Sequence, residues 1–160
     1  MKNIVIIYSE YSPVIDAIKY NLSEYTVTAE HIKDYKRNKD DYDLIICLNN
    51  IKVEGKAITC HHSLLPSFNC EDPEKEAIIQ GVKVTGITIY RTDTGKIITQ
   101  YPVFIDNDMH YDNLKRELSY LEQTLLPVTA KKIINNEPIE MRSLLNNKCC
   151  NNRGCTACSH

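Results

Sequence analysis

Lys2 to Tyr8 reads KNIVIIY, an unbroken apolar run rich in β-branched residues. A run with no polar alternate face fits a strand covered on both sides, and strands of that kind belong to parallel sheets. It predicts a central strand. Asp43 to Leu48 (DLIICL) repeats the pattern, and Ala57 to Cys60 gives a third run. After the first run, Ser12 can cap a helix and Pro13 suits its first position, while Val14, Ile15, Ile18 and Leu22 recur at helical spacing. Strand, turn and helix in that order begin a βαβ unit, so the expected fold class is α/β with an open, mostly parallel sheet.

The remaining segments extend this plan. Tyr25 to Thr28 reads as a short strand, and His31 to Asp41 as a loop with a helical turn. Only Asn49 to Lys56 separates the second and third runs, whereas parallel neighbours usually need a crossover of about a dozen residues or more. Either that connection is tight or part of a helix has been lost. Asp72 and Pro73 form a cap and first-turn pair for a helix over Glu74 to Gln80, which Gly81 ends. Val84 to Tyr90 and Lys96 to Ile105 then read as two strands of a hairpin, with Asp93 at the tip of its Arg91–Gly95 loop. Leu114, Leu118, Leu121, Leu125 and Val128 step by four, three, four and three, the signature of a long amphipathic helix that Pro127 should kink.

With 160 residues and 42% hydrophobic content, the chain suits one domain with a modest core. The expected division is a domain over residues 1–140 and a Cys-rich C-terminal tail over 141–160. No run approaches membrane-spanning length, and the amino end shows neither a signal-peptide nor a transit-peptide pattern, so a cytoplasmic protein is expected. A formal charge of −2 gives no basic field for nucleic acid. Of seven cysteines, Cys47, Cys60 and Cys70 are scattered and read as buried thiols. In the tail, Cys150, Cys155, Cys158 and His160 have spacings suited to a tetrahedral zinc shell, with an iron-sulfur cluster or reactive thiols as alternatives and Cys149 as the spare.

The third apolar run ends in Thr59-Cys60-His61-His62-Ser63-Leu64-Leu65-Pro66, which puts two histidines at a strand's carboxyl tip. Ligands of open α/β sheets bind in the crevice beyond such tips. A histidine there is either a satisfied structural residue or a site residue. The turn Ser9–Ser12 after the first strand holds no glycine and carries Glu10, so no phosphate cradle is expected at that tip.

Two further stretches follow the histidines: Gly81-Val82-Lys83-Val84-Thr85-Gly86-Ile87-Thr88-Ile89-Tyr90, and Asp93-Thr94-Gly95-Lys96-Ile97-Ile98-Thr99-Gln100. Together with the histidine stretch, and in this order, they resemble the carboxyl half of the folate-dependent formyltransferases. The likeness is greatest to the glycinamide ribonucleotide formyltransferases, whose signatures read NIHPSLLP, GVKVTG and DTGPIIAQ. It runs from about Asp43 to Asn136 and includes Leu121-Glu122-Gln123 through Pro127. The resemblance implies a Rossmann-like formyltransferase sheet with a C-terminal hairpin and long helix. It also implies formyl transfer from 10-formyltetrahydrofolate to a primary amine of a small metabolite, with folate and amine as the small-molecule partners and a homodimer as a compatible assembly.

In this family an Asn, His and Asp trio acts at the formyl carbon. Carried over, His61 falls on the histidine, Asp93 on the aspartate and Thr59 on the asparagine. His62 replaces the family's proline and is either a second donor or a solvent-facing side chain. Asn49, Asn50 and Ile51 take the place of the stretch whose backbone helps hold the folate ring, and Thr92 and Thr94 flank the aspartate. The segment before Asp93 is shorter than in the family, and the family's glycine-rich loop is replaced by Ser9–Ser12. The alternative implied by these departures is an inactive, formyltransferase-like binding or regulatory protein whose cysteine tail responds to metal or redox state.

Overall fold

The computed structural model describes residues 1–36 and 39–140. The tail, with its candidate ligands Cys150, Cys155, Cys158 and His160, lies outside the described residues. The elements in chain order are β1 (Asn3–Tyr8), α1 (Pro13–Asn21), β2 (Thr26–His31), a 3-10 turn (Lys39–Asp41), β3 (Leu44–Cys47) and β4 (Ala57–His61). These are followed by α2 (Pro73–Gln80), β5 (Val84–Arg91), β6 (Ile97–Phe104) and α3 (Tyr111–Ile134).

The six strands form one sheet in the order β2-β1-β3-β4-β5-β6. The first four are parallel, while β5 is antiparallel to β4 and β6 antiparallel to β5. KNIVIIY is thus an interior strand, and the α/β class, the Rossmann-like sheet, the hairpin and the long helix are all present. The β3–β4 connection over residues 48–56 contains no helix, yet the two strands are parallel neighbours.

Sheet alternation divides the core in two. One face carries Ile4, Ile6, Leu44, Ile46, Ile58 and Cys60, which pack with Val14, Ile15 and Ile18 of α1 and Leu114, Leu118 and Leu126 of α3. The other face carries Val5, Ile7, Ile45, Cys47 and Ala57. It is covered by Tyr42 and by the partly buried Ile32, Tyr35, Ile51 and Val53. Among the described residues no α-helix belongs to this second cluster, because the short 48–56 connection leaves no room for one.

The helix ends are set by local chemistry. The Ser12 side chain accepts from the Val14 amide at 3.3 Å, Asp72 accepts from Lys75 at 3.3 Å, and Gly81 ends α2 at φ +66°. Helix α3 is one 24-residue element with Pro127 inside it. No helix among the described residues is long and apolar enough to cross a membrane.

Candidate functional site

Strands β1, β3 and β4 run parallel, so their carboxyl ends meet on one side of the sheet. A cleft of about 760 Å³ opens there. Its floor is the β4 tip, Cys60, His61 and His62, with Leu48, Asn49 and Asn50 beyond β3. One wall is the turn from Glu10 to Pro13, and the other is the start of α2 and the Asp112–Glu122 stretch of α3. Five carboxylates line it, from Glu10, Glu71, Glu74, Asp112 and Glu122. They face four cationic or ionisable bases, His61, His62, Lys115 and Arg116.

His62 is held at both ring nitrogens. Its Nδ1 lies 2.5 Å from a Glu74 carboxylate oxygen and its Nε2 lies 2.6 Å from one of Glu122. The side chain is 19% exposed, so it does not simply face solvent. Burial by itself would lower the imidazole's pKa, but the hydrogen bonds to Glu122 and Glu74 outweigh it and hold the value up at about 9. Glu74 resists the upward pull of burial and is lowered by its bond to His62. Two carboxylates from different helices therefore clamp one imidazolium. Cys60 stands on the same side of β4, two residues back; burial and then the charges of Glu122 and Glu74 hold its thiol well above its ordinary pKa.

His61, between these two, is buried and also borders the cleft. Its Nε2 is 3.0 Å from the Phe68 carbonyl; a carbonyl only accepts, so that nitrogen carries a hydrogen. The loop that follows is fixed by Thr88 of β5. Its hydroxyl donates to the Ser63 carbonyl at 2.7 Å and accepts from the Leu65 amide at 3.0 Å and Gln100 Nε2 at 3.0 Å. Gln100 Nε2 also donates to the Leu65 carbonyl at 2.9 Å. Close by, a Cβ built on Gly86 would lie 2.0 Å from the Tyr101 carbonyl oxygen and 2.8 Å from Leu64 Cδ2. Only glycine fits there. The three sequence stretches singled out above thus meet through the Thr88 and Gln100 side chains and one glycine, and their joint work is to hold the β4 tip.

Residues 41–130 match the family model described as formyl transferase, which is more than half the chain. The chain belongs to the formyl transferase family. It is 38% identical over 84 residues to methionyl-tRNA formyltransferase of Staphylococcus epidermidis, covering 50% of this chain and 27% of that protein. It is 36% identical over 84 residues to phosphoribosylglycinamide formyltransferase of Bacillus subtilis, covering 50% of this chain and 43% of that one. The chain thus spans less than half the length of either curated relative. In three dimensions it is similar to glycinamide ribonucleotide transformylase 1 of Symbiobacterium toebii, with TM-score 0.71, 18% identity and coverage of 89% and 92%. At that identity the likeness concerns the fold.

The formyl transferase match spans β3 to most of α3, and so contains the β4 tip and the hairpin. Of the residues the resemblance brings to the site, His61, His62, Asn49 and Asn50 do line the cleft. Asn49 and Asn50 both take left-handed backbone, φ 54° and 58°. The Asn49 side-chain oxygen accepts from the Ser9 and Glu10 amides at 3.2 Å each, so the turn after β1 already spends these two amides internally.

The other expected residues lie elsewhere. Thr59 is buried, and its hydroxyl donates to the Cys47 carbonyl at 2.8 Å across the sheet. Ile51 packs against the second core cluster. Asp93 is not brought to His61. In the β4–β5 register His61 pairs with Thr88 and Ile58 with Arg91, so the loop beyond Arg91 lies at the amino end of β4. At about 3.3 Å per residue, residues 58 and 61 alone are roughly 10 Å apart. Asp93 instead accepts from Arg91 at 3.2 Å and from the Thr94 amide at 2.8 Å. Arg91's bond, against an opposing effect of desolvation, lowers its pKa. Thr92 donates to the Val53 carbonyl at 2.8 Å, and neither it nor the exposed Thr94 lines the cleft. The short loop is the physical reason: it closes as a tight hairpin and cannot fold back over the sheet end.

Sequence reasoning missed Cys60, Glu74, Lys115, Arg116 and Glu122. Cys60 and His62 share a strand face by simple alternation, which was readable, but the partners from α2 and α3 depend on packing. The Cys60 sulfur, a His62 ring nitrogen and a Glu122 carboxylate oxygen lie within 4.8 Å of one another, the one group among the described residues with donor atoms arranged for a metal ion.

Proposed function

We propose that this chain transfers a formyl group from 10-formyltetrahydrofolate to the primary amine of a small metabolite. The observation that carries the reading is the pair His61 and His62 at a parallel strand tip, lining a cleft inside the segment that matches the formyl transferase family. Amine attack on the formyl carbon builds negative charge on the carbonyl oxygen, and a positioned donor lowers that barrier. In this cleft the donor is His62, with Lys115 and Arg116 as further cationic groups. The attacking amine must shed a proton, and Glu122 and Glu74 are the carboxylates within reach of His62 that can take it. They occupy the role that the resemblance gave to Asp93. Asn49 and Asn50 form the edge against which the folate ring would lie.

A second reading is a binding protein without turnover, favoured by Thr59 being committed to Cys47 and by Asp93 standing outside the cleft. One experiment separates the two. Purified protein is incubated with 10-formyltetrahydrofolate and a panel of primary amines, and tetrahydrofolate release and N-formyl product are measured, with folate binding followed by calorimetry. Product formation that falls in His62→Ala supports transfer. Folate binding with no product on any amine supports the binder, and neither binding nor product removes both readings.

A further inference from the structure

We propose that Cys60, His62 and Glu122 form a binding site for a divalent transition-metal ion of the zinc class. The site goes beyond formyl transfer; because it takes His62 and Glu122, the metal-bound and transferring forms exclude each other, and metal binding is read without any activity assay. Three donors of three kinds, a sulfur, an imidazole nitrogen and a carboxylate oxygen, converge from a strand tip and a helix sixty residues apart in sequence. This mixture suits zinc or cobalt, whereas magnesium and calcium prefer all-oxygen shells. In a tetrahedral zinc shell with bonds of about 2.0–2.3 Å, donor atoms stand about 3.3–3.8 Å apart. The trio already sits within 4.8 Å, so side-chain rotation, with the His62–Glu122 contact opening from 2.6 Å, is enough to close on an ion.

A second observation comes from the other side of the ring. Glu74 holds Nδ1 of His62 at 2.5 Å, and a carboxylate on the far nitrogen of a ligating histidine fixes its tautomer and orientation. The neutral ring then carries its hydrogen on Nδ1, donated to Glu74, and presents the Nε2 lone pair to the ion. The two carboxylates that flank the ring are largely buried, with side chains only 8% and 13% exposed, so both are held in place beside it. On binding, the ion replaces the proton on Nε2 and the proton on the Cys60 sulfur, and both leave to solvent. Three protein ligands leave the fourth position for water or a small molecule from the cleft.

To remove the tail thiols as competitors for the ion, the test uses the full chain with Cys149, Cys150, Cys155 and Cys158 replaced by serine. Metal-stripped protein is titrated with cobalt(II) and zinc(II), read by calorimetry and by the thiolate-to-cobalt absorption band. The expected result is one ion per chain, with a thiolate band that Cys60→Ser abolishes and that zinc displaces. Glu74→Gln should weaken affinity by about 10–100-fold, as loss of such an orienting carboxylate does. Should Cys60→Ser fail to fold, as judged by its thermal melt, His62→Gln serves in its place, because that side chain is partly exposed. Failure of the serine-tail protein to bind either ion, or a band that survives these substitutions, overturns the proposal.

Discussion

The two ends of β4, the histidine tip and the end beside the Arg91–Gly95 loop, hold their side chains in different ways. At the carboxyl end, His62 is clamped by Glu74 and Glu122, and the following loop is tied to Thr88 and Gln100 by three hydrogen bonds of 2.7–3.0 Å. At the amino end, the Arg91–Gly95 loop is a short hairpin whose acidic residue pairs with its own neighbour, Arg91. One end positions groups over a cleft, and the other closes a turn. Motif order along the chain survives a shortened loop, but the reach of the loop does not.

The strongest test of that contrast is a pair of substitutions. Loss of a positioned proton donor costs about 10²–10⁴ in rate, so His62→Ala should lower kcat for formyl transfer by that factor, equivalent to about 3–5 kcal/mol of barrier. Asp93→Ala, at the exposed hairpin, should leave kcat where it was. Steady-state rates on the same acceptor decide it. Equal losses would mean that the hairpin folds over the cleft when substrate is bound, and the contrast between the two ends would fall.

Much of the fold was legible because it rests on neighbours in sequence. Ser12, Asp72 and Gly81 act on helix ends within a few residues, and the unbroken apolar runs announce strands covered on both faces. The site was legible only where it shares that locality: His61 and His62 follow directly from the strand tip. Glu74 and Glu122 reach His62 from residues 12 and 60 positions away, through helix packing that periodicity alone does not orient. Thr59 shows the reverse failure. The family comparison assigned it by column, while its hydroxyl was already taken by the adjacent strand.

Next in size is Gly86→Ala. The added methyl meets the Tyr101 carbonyl oxygen, a backbone atom that cannot swing aside, and the Leu64 side chain in the loop after β4. Overpacking of this kind costs about 1–3 kcal/mol, and a backbone clash puts this site near 3. Urea unfolding should show a lower midpoint with an unchanged slope. Thr88→Val follows at about 2 kcal/mol, since it leaves a buried carbonyl, an amide and the Gln100 side chain short of a partner. Because the same hydroxyl positions the loop beyond His62, this variant should also lose transfer rate under conditions where it remains folded. A purely structural role would lower the unfolding midpoint and leave kcat untouched.

The smallest effect belongs to the opposite end. Gly95 closes the hairpin loop at φ +69°, with open space where a Cβ would stand. Gly95→Ala therefore meets no clash, only the cost of a left-handed conformation for an L-residue, about 1 kcal/mol. Its amide donates to the Arg91 carbonyl at 2.9 Å, so the turn keeps its shape if that bond holds. The expected outcome is a slightly lower melting temperature with kcat and KM unchanged. If instead KM for the folate rose while stability hardly moved, the hairpin would be contacting the donor, and the amino end of β4 would have to be counted as part of the site.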